Sequence, residues 1–364
     1  MLKLKRLSLL LFVFVLVSPA LTSAQQFQPT PTPMPNSTLD NILTRGQVVC
    51  GVNQEIFGFG FLNPNTGSIS GVYIDFCRAL AAAIFRDASA LELRLQTVDT
   101  PPDALLSGQI DVLFVQNTIE NLSQDGQGGL DFGPPIFYDG QSIMVRTDSR
   151  IETWEDLDEQ TICTLAGSDD EANLAAAMRE RDLSYDLQPL NTPAEMQEAF
   201  LAGRCNAQTL SRSLLEIRRQ STDDPSAYTV WSEPFTRVAI APTYRYGDQQ
   251  WSSIVDWTIW GLIYAEELGI TSENIDEYLR VENETDEIYT NRVGLPIARL
   301  VDPFLGLGGQ LGLMNDFMVE VIRQTGNYGE IYDRSLGPES ALPIERSLNA
   351  LWSDGGLIFS PLWR

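Results

Sequence analysis

The sequence predicts an α/β fold of two lobes, each built on a parallel-rich sheet, with a hinge and a central cleft between them. Three observations lead there. Short apolar strands alternate with helices from Val48 to Val115, the order that builds a parallel sheet. The alternation restarts after Arg146, and Val238-Ala239-Ile240-Ala241 then reads as a strand returning to the first lobe. The chain has 364 residues and 43% apolar content, too long for one small core and rich enough for two. Lobes joined by two strands leave a cleft where small ligands bind, and binding there commonly closes a hinge.

The elements follow in order. Lys3, Lys5 and Arg6 precede an apolar run from Leu7 to Val17 and a small-residue stretch ending at Ala24. That is an export signal over residues 1–24, and its apolar run is too short to span a membrane. Residues 25–37, with Pro-Thr-Pro-Thr-Pro, read as a solvated tether. The first lobe takes 38–146 and 239–364, the latter with a C-terminal helical extension; the second takes 147–238. In the first lobe, strands are expected at Val48–Val52, Leu91–Leu95 and Ile110–Val115, with helices through Cys77–Ile84 and Pro102–Ser107. In the second, strands are expected at Thr161–Leu165 and Cys205–Leu210. Its helices open at Thr153, at Gly167-Ser168, at Pro193 and at Ser213. Further helices are expected at Gln250–Glu267, Thr271–Leu279 and Asp316–Thr325.

Composition excludes much chemistry. There is no histidine, and no lysine follows Lys5. Ser-His-Asp and Cys-His catalysis, His-ligated zinc, a Walker lysine and a Schiff-base lysine are all ruled out. No cofactor and no metal is called for. A net charge of −25 disfavours nucleic acid and anionic membranes. Four cysteines in an exported chain suggest disulfides. Of three possible pairings the simplest joins sequence neighbours, Cys50–Cys77 and Cys163–Cys205; buried free thiols are the alternative.

Several strings resemble a known family, the extracytoplasmic solute-binding proteins of polar amino-acid ABC importers (bacterial solute-binding protein family 3). Gly71-Val72-Tyr73-Ile74-Asp75-Phe76 resembles its signature, with Tyr73 where an acid is usual. Leu106-Ser107-Gly108-Gln109-Ile110-Asp111-Val112, Phe137-Tyr138-Asp139-Gly140-Gln141 and Ala202-Gly203-Arg204-Cys205 resemble further elements. Gly247-Asp248-Gln249-Gln250-Trp251, Gly326-Asn327-Tyr328-Gly329-Glu330 and Leu348-Asn349-Ala350-Leu351-Trp352 resemble the branch that binds L-amino acids generally. The resemblance runs from Thr38 to Arg364. It implies a two-lobed periplasmic-binding-protein-like fold (type II) and the same two disulfides. It also implies a periplasmic or extracellular monomer that hands a small polar ligand to an ABC permease.

The resemblance also says where the charged contacts should be, and here they differ. The first-lobe segment that usually ends in arginine is Gln116 to Asp125: Asn117 and Thr118 keep the pattern, and Gln124 takes the arginine's place. The Gly-Thr-Thr element that receives a carboxylate is Gly167-Ser168-Asp169-Asp170-Glu171. Ser168 with Glu171 is a capping-box spacing, so these acids serve either their own helix dipole or a ligand. The aspartate that holds an ammonium is replaced by Ser211, and Arg212 beside it is either a surface residue or a new anion contact. Phe57 and Phe59 wall the cleft or belong to the core; Trp251, Trp257 and Trp260, at helical spacing, read as core. The expected function is capture of a small polar ligand that differs from a standard amino acid in the usual pose. A sensory or vestigial binding protein is one alternative. An enzyme on this scaffold, such as a cyclohexadienyl dehydratase, is another, but no motif singles out a catalytic acid, and Glu120 and Asp125 read equally as loop acids.

Overall fold

The computed structural model describes residues 37–96, 103–115 and 128–364; the export signal, the tether up to residue 36, and Asn117, Thr118, Glu120, Gln124 and Asp125 lie outside them. Two five-stranded sheets carry the two lobes. The first has the spatial order Leu91–Gln96, Val48–Asn53, Val112–Phe114, Thr243–Arg245, Leu130–Phe132. Its first three strands are parallel and Thr243–Arg245 runs against both neighbours. The second has the order Tyr185–Leu190, Gln160–Leu165, Ala207–Ser211, Gln141–Arg146, Tyr228–Val230. Again three strands are parallel, and Gln141–Arg146 is antiparallel to both neighbours. The sheets are thus mixed: in each, one strand, Thr243–Arg245 or Gln141–Arg146, runs against the other four, and it is the strand on which the chain enters that sheet after crossing between lobes.

One boundary moves. Gln141–Arg146, assigned from sequence to the first lobe, pairs with Ala207–Ser211 in the second sheet. The passage between lobes therefore falls at Gly140, not after Arg146. That position demands glycine: an added Cβ would lie 2.0 Å from the Thr236 carbonyl oxygen. Just before it, Phe137–Asp139 pairs antiparallel with Val238–Ile240, and this two-stranded ribbon is the hinge. A second expectation also changes. Thr271–Leu279 holds only the short 3-10 turn Ile275–Tyr278, because Thr271 and Asn274 bond each other's backbone through their side chains and close a tight turn there.

The first core wraps around helix Val72–Phe85, whose apolar run leaves 11 of 14 residues buried, so it is covered on nearly every side. The Cys50–Cys77 disulfide ties it to strand Val48–Asn53. Helices Gln249–Glu267, Phe317–Thr325 and Tyr328–Leu336 complete that core. Trp251 is fully buried and donates its indole N–H to the Asp111 carbonyl at 2.9 Å, while Trp257 packs on Trp260 and Trp363. In the second lobe, strand alternation sends Met144, Cys163 and Leu210 to one face and Ile143, Ile162 and Ala207 to the other. Cys163 is bonded to Cys205.

Candidate ligand-binding site beside the hinge

Strands Gln160–Leu165 and Ala207–Ser211 point their carboxyl ends toward the hinge: the Arg212 N–H donates to the Gly140 carbonyl at 2.8 Å. Ligands of open α/β sheets bind at such ends. Helix Asp169–Glu180 starts there. The Ser168 hydroxyl accepts from the Glu171 N–H at 3.3 Å and donates to the Leu165 carbonyl at 2.7 Å. Glu171 in turn accepts from the Gly167 N–H at 2.9 Å. The helix therefore caps itself, and Ser168 is engaged locally.

Asp170 follows, half-buried, while Asp169 is exposed. The Asp170 carbonyl accepts from Gln141 Nε2 at 2.7 Å, and the same nitrogen donates to Thr209 Oγ1 at 2.9 Å. Burial, then the charges of Asp169 and Asp139, push the Asp170 carboxyl up to about 6.

At the hinge itself Asp139 is buried. Its carboxylate accepts from Ser213 Oγ at 2.5 Å, the Gly140 N–H at 2.9 Å and the Ser213 N–H at 3.2 Å. Burial raises its pKa, opposed by those bonds and by Arg212. The Tyr73 phenol is pushed up by burial and then by Asp139. Arg212 is not a surface residue: it is 6% exposed and donates through Nη1 to the Glu345 carbonyl at 3.0 Å. Phe137, Tyr138, Pro234, Ile344 and Leu348 enclose it in a space too tight for a solute. A helix begins at Arg212, which lets the guanidinium reach the C-terminal extension.

Among the described residues nine buried side-chain polar atoms lack a partner, and six gather around this crossing. They are Asn53 Nδ2, Tyr73 OH, Gln141 Oε1, Thr164 Oγ1, Ser211 Oγ and Arg212 Nε. Asn53, Thr164 and Ser211 sit at or next to the carboxyl ends of their strands, and Ser211 lies opposite Gln141 in the register. An unsatisfied buried group costs about 1–3 kcal/mol, so such a concentration calls for an explanation.

Phe59 is fully buried, 4.9 Å from Phe137 and 5.6 Å from Tyr73 between ring centroids; Phe57 packs edge-on against Phe61. The structure thus brings Ser168, Asp169 and Ser211 to one rim, and places Phe59 and Arg212 inside the hinge packing. Sequence reasoning missed Asp139, Gln141 and Thr164. Asp139 and Gln141 stood in a family-like string without a role, and a lone Thr164 gave no signal. An open groove of about 860 Å³ lies along the edge of the second lobe between Arg146, Trp154, Arg181, Trp231 and Phe235. It contains none of the rim residues, and its rings pack on one another.

Among the described residues no group of His, Cys, Asp and Glu is placed to hold a metal, and no helix is long and apolar enough to cross a membrane. The fold and site together define a hinged receptor for a small polar solute. The chain belongs to the bacterial extracellular solute-binding proteins, family 3, whose model matches residues 48–291. Members of this family are binding components of import, not catalysts, and work outside the cytoplasm. The chain is 35% identical over 331 residues to the general L-amino acid-binding periplasmic protein AapJ of Rhizobium johnstonii, covering 89% of this chain and 92% of that one. It is 34% identical over 328 residues to the glutamate/glutamine/aspartate/asparagine-binding protein BztA of Rhodobacter capsulatus, covering 90% and 94%. Among solved structures, an ABC transporter periplasmic binding protein from Brucella ovis with glutathione bound superposes with a TM-score of 0.73 at 33% identity, over 90% of this chain and all of that one.

Proposed function

We propose that this protein captures a small polar, amino-acid-derived solute between its lobes and delivers it to an ABC permease, and that its ligand is not a standard α-amino acid held in the family's usual pose. The observation that carries this reading is the cluster of unpartnered polar atoms around Gln141, Thr164 and Ser211. Such a rim bonds a solute mainly through neutral groups and acids. Gln124 and Ser211 stand where the family resemblance calls for charged groups. Losing one partner of a buried charge pair costs roughly 2–5 kcal/mol, or about 30- to several-thousand-fold in affinity. Similar proteins bind ligands that range from single amino acids to glutathione, a tripeptide, so a departure in ligand is within the reach of this branch.

Isothermal calorimetry tests the proposal. Residues 25–364 are unfolded and refolded with disulfides intact to strip any co-purified ligand. The twenty amino acids, glutathione, small dipeptides, polyamines and betaines are then titrated. The expected result is weak or no binding of the standard amino acids and clear binding of a solute outside that set. Tight binding of several standard amino acids would overturn the ligand assignment.

A further inference from the structure

We propose that the C-terminal segment 342–351 is a clamp on the hinge: rooted in the first lobe, it grips the hinge strand at Tyr138 and the second lobe at Arg212, and so holds the two lobes near the arrangement seen here. The clamp is independent of which solute the cleft takes.

The joint itself is slight. Phe137–Asp139 and Val238–Ile240 pair over three residues each, and a two-stranded ribbon twists readily and is weak alone. The segment adds a further crossing, and its root is firm. Leu342, Ile344 and Leu351 are buried in the first core. Ile344 donates its N–H to the Leu336 carbonyl at 2.8 Å and accepts from the Tyr332 hydroxyl at 3.1 Å. Arg346 bonds both carboxylate oxygens of Glu266 on helix Gln249–Glu267 and lies 5.3 Å from the centre of the Tyr332 ring.

From that root the segment reaches outward. Asn349 takes both backbone polar groups of Tyr138. Glu345 offers its carbonyl to Arg212 Nη1 at 3.0 Å. Arg212 opens a helix whose Leu215 is buried in the second lobe, so this bond runs from one lobe to the other. Ile344 and Leu348 border the same closed space as Arg212, Ser213 and Pro234 of the second lobe. All of this lies beyond residues 48–291, which the family model matches. Those residues already contain both five-stranded sheets and both hinge strands, so the clamp is an addition to that frame.

A hydrogen bond tolerates only a few tenths of an ångström of stretch. Movement of the second lobe on the ribbon therefore strains the Arg212 bond, because Glu345 is fixed to the first lobe. Arg212 is 6% exposed and its Nε has no partner; a buried guanidinium that also loses its acceptor is costly. A receptor held this way wanders less when empty, and a solute then has less disorder to remove on binding.

The test is the distance between lobes in the ligand-free, refolded chain 25–364, measured by double electron–electron resonance. The described residues have no free cysteine. Spin labels go on Thr44→Cys and Ala176→Cys, exposed positions on helix Thr38–Arg45 of the first lobe and helix Asp169–Glu180 of the second. In Arg212→Met and in Asn349→Ala the population outside the parent's distance range should rise about tenfold. The two changes strike separate grips, so either variant that folds by circular dichroism is decisive. Thr285→Ala removes the cap of helix Asp286–Val293, makes no change at the hinge, and should leave the distribution as it was. On the unmodified chain, the Tyr138 amide should exchange its hydrogen as slowly as the core amides of helix Val72–Phe85. Unchanged distributions in the folded clamp variants, equal broadening in Thr285→Ala, or Tyr138 exchange as fast as an exposed loop would each overturn the clamp and leave the solute-binding reading standing.

Discussion

Asn349 holds both backbone polar groups of Tyr138. The Tyr138 N–H donates to Asn349 Oδ1 at 2.6 Å, and Asn349 Nδ2 donates to the Tyr138 carbonyl at 2.9 Å. Tyr138 lies in the hinge strand, whose other edge is taken by Val238–Ile240. The asparagine amide thus stands in for a third strand, and it is 1% exposed. Asn349→Ala would leave a donor and an acceptor unpaired in a closed space. The expected loss is about 2–4 kcal/mol of stability, read from urea denaturation. A loss under about 0.5 kcal/mol, the size of an ordinary surface substitution, would show that water replaces the amide freely.

Arg212 and Asp139 both lie buried in the hinge interior, and the charge of Arg212 partly offsets that of Asp139 without a direct bond between them. Arg212→Met removes the donor to the Glu345 carbonyl and leaves Asp139 without a compensating cation. The expected cost is about 3 kcal/mol. Adding Asp139→Asn should recover part of it, since the uncompensated charge is then gone. Purely additive losses in the double-mutant cycle would show that the two groups do not interact.

Asp256 gives the first lobe a pH response. It accepts from the Tyr244 hydroxyl at 2.8 Å. Burial raises its pKa from 3.8 to about 7, against the Tyr244 bond and with help from Asp131. Between those two values the folded state keeps a proton that the unfolded chain has lost. Stability from this group therefore falls as pH rises from about 4 to about 7. Asp256→Asn should flatten that part of the profile when urea midpoints are compared at pH 4.5, 5.5, 6.5 and 7.5. Parallel profiles for the two proteins would rule the assignment out.

The two disulfides close segments of 27 and 42 residues. By the chain-entropy estimate each contributes roughly 3.5–4 kcal/mol. Cys163→Ala with Cys205→Ala should destabilise by about that amount, measured by chemical denaturation. Reduction of the wild type should go further, because it also releases helix Val72–Phe85 from its sheet. Equal stability with and without reductant would contradict both expectations.

The alternation of strands and helices was readable because it depends on neighbours in sequence. The spacing of Ser168 and Glu171 likewise declared a cap, and the structure forms it. The hinge was harder to read. Gln141–Arg146 looks like any apolar strand, and only its partner, Ala207–Ser211, reveals which sheet it joins. Arg212 read as a surface residue or an anion contact because nothing local shows that Glu345, 133 residues on, accepts its proton. Asp170 read as either a helix-dipole acid or a ligand contact; the Gln141 bond to its carbonyl comes from 29 residues away. The departures from the family's charged contacts were legible as substitutions, but their replacements at the rim come from elements far apart in the chain.

The hold of Asn349 on Tyr138 spans 211 residues, and that separation sets an order of assembly. The passage between the lobes is made early in synthesis and finished only when the segment around Glu345 and Asn349 has emerged. Until then Tyr138 and Arg212 lack bonding partners, so the nascent chain has an incomplete junction for most of its synthesis. A keystone placed this late leaves the hinge the last part of the molecule to be finished.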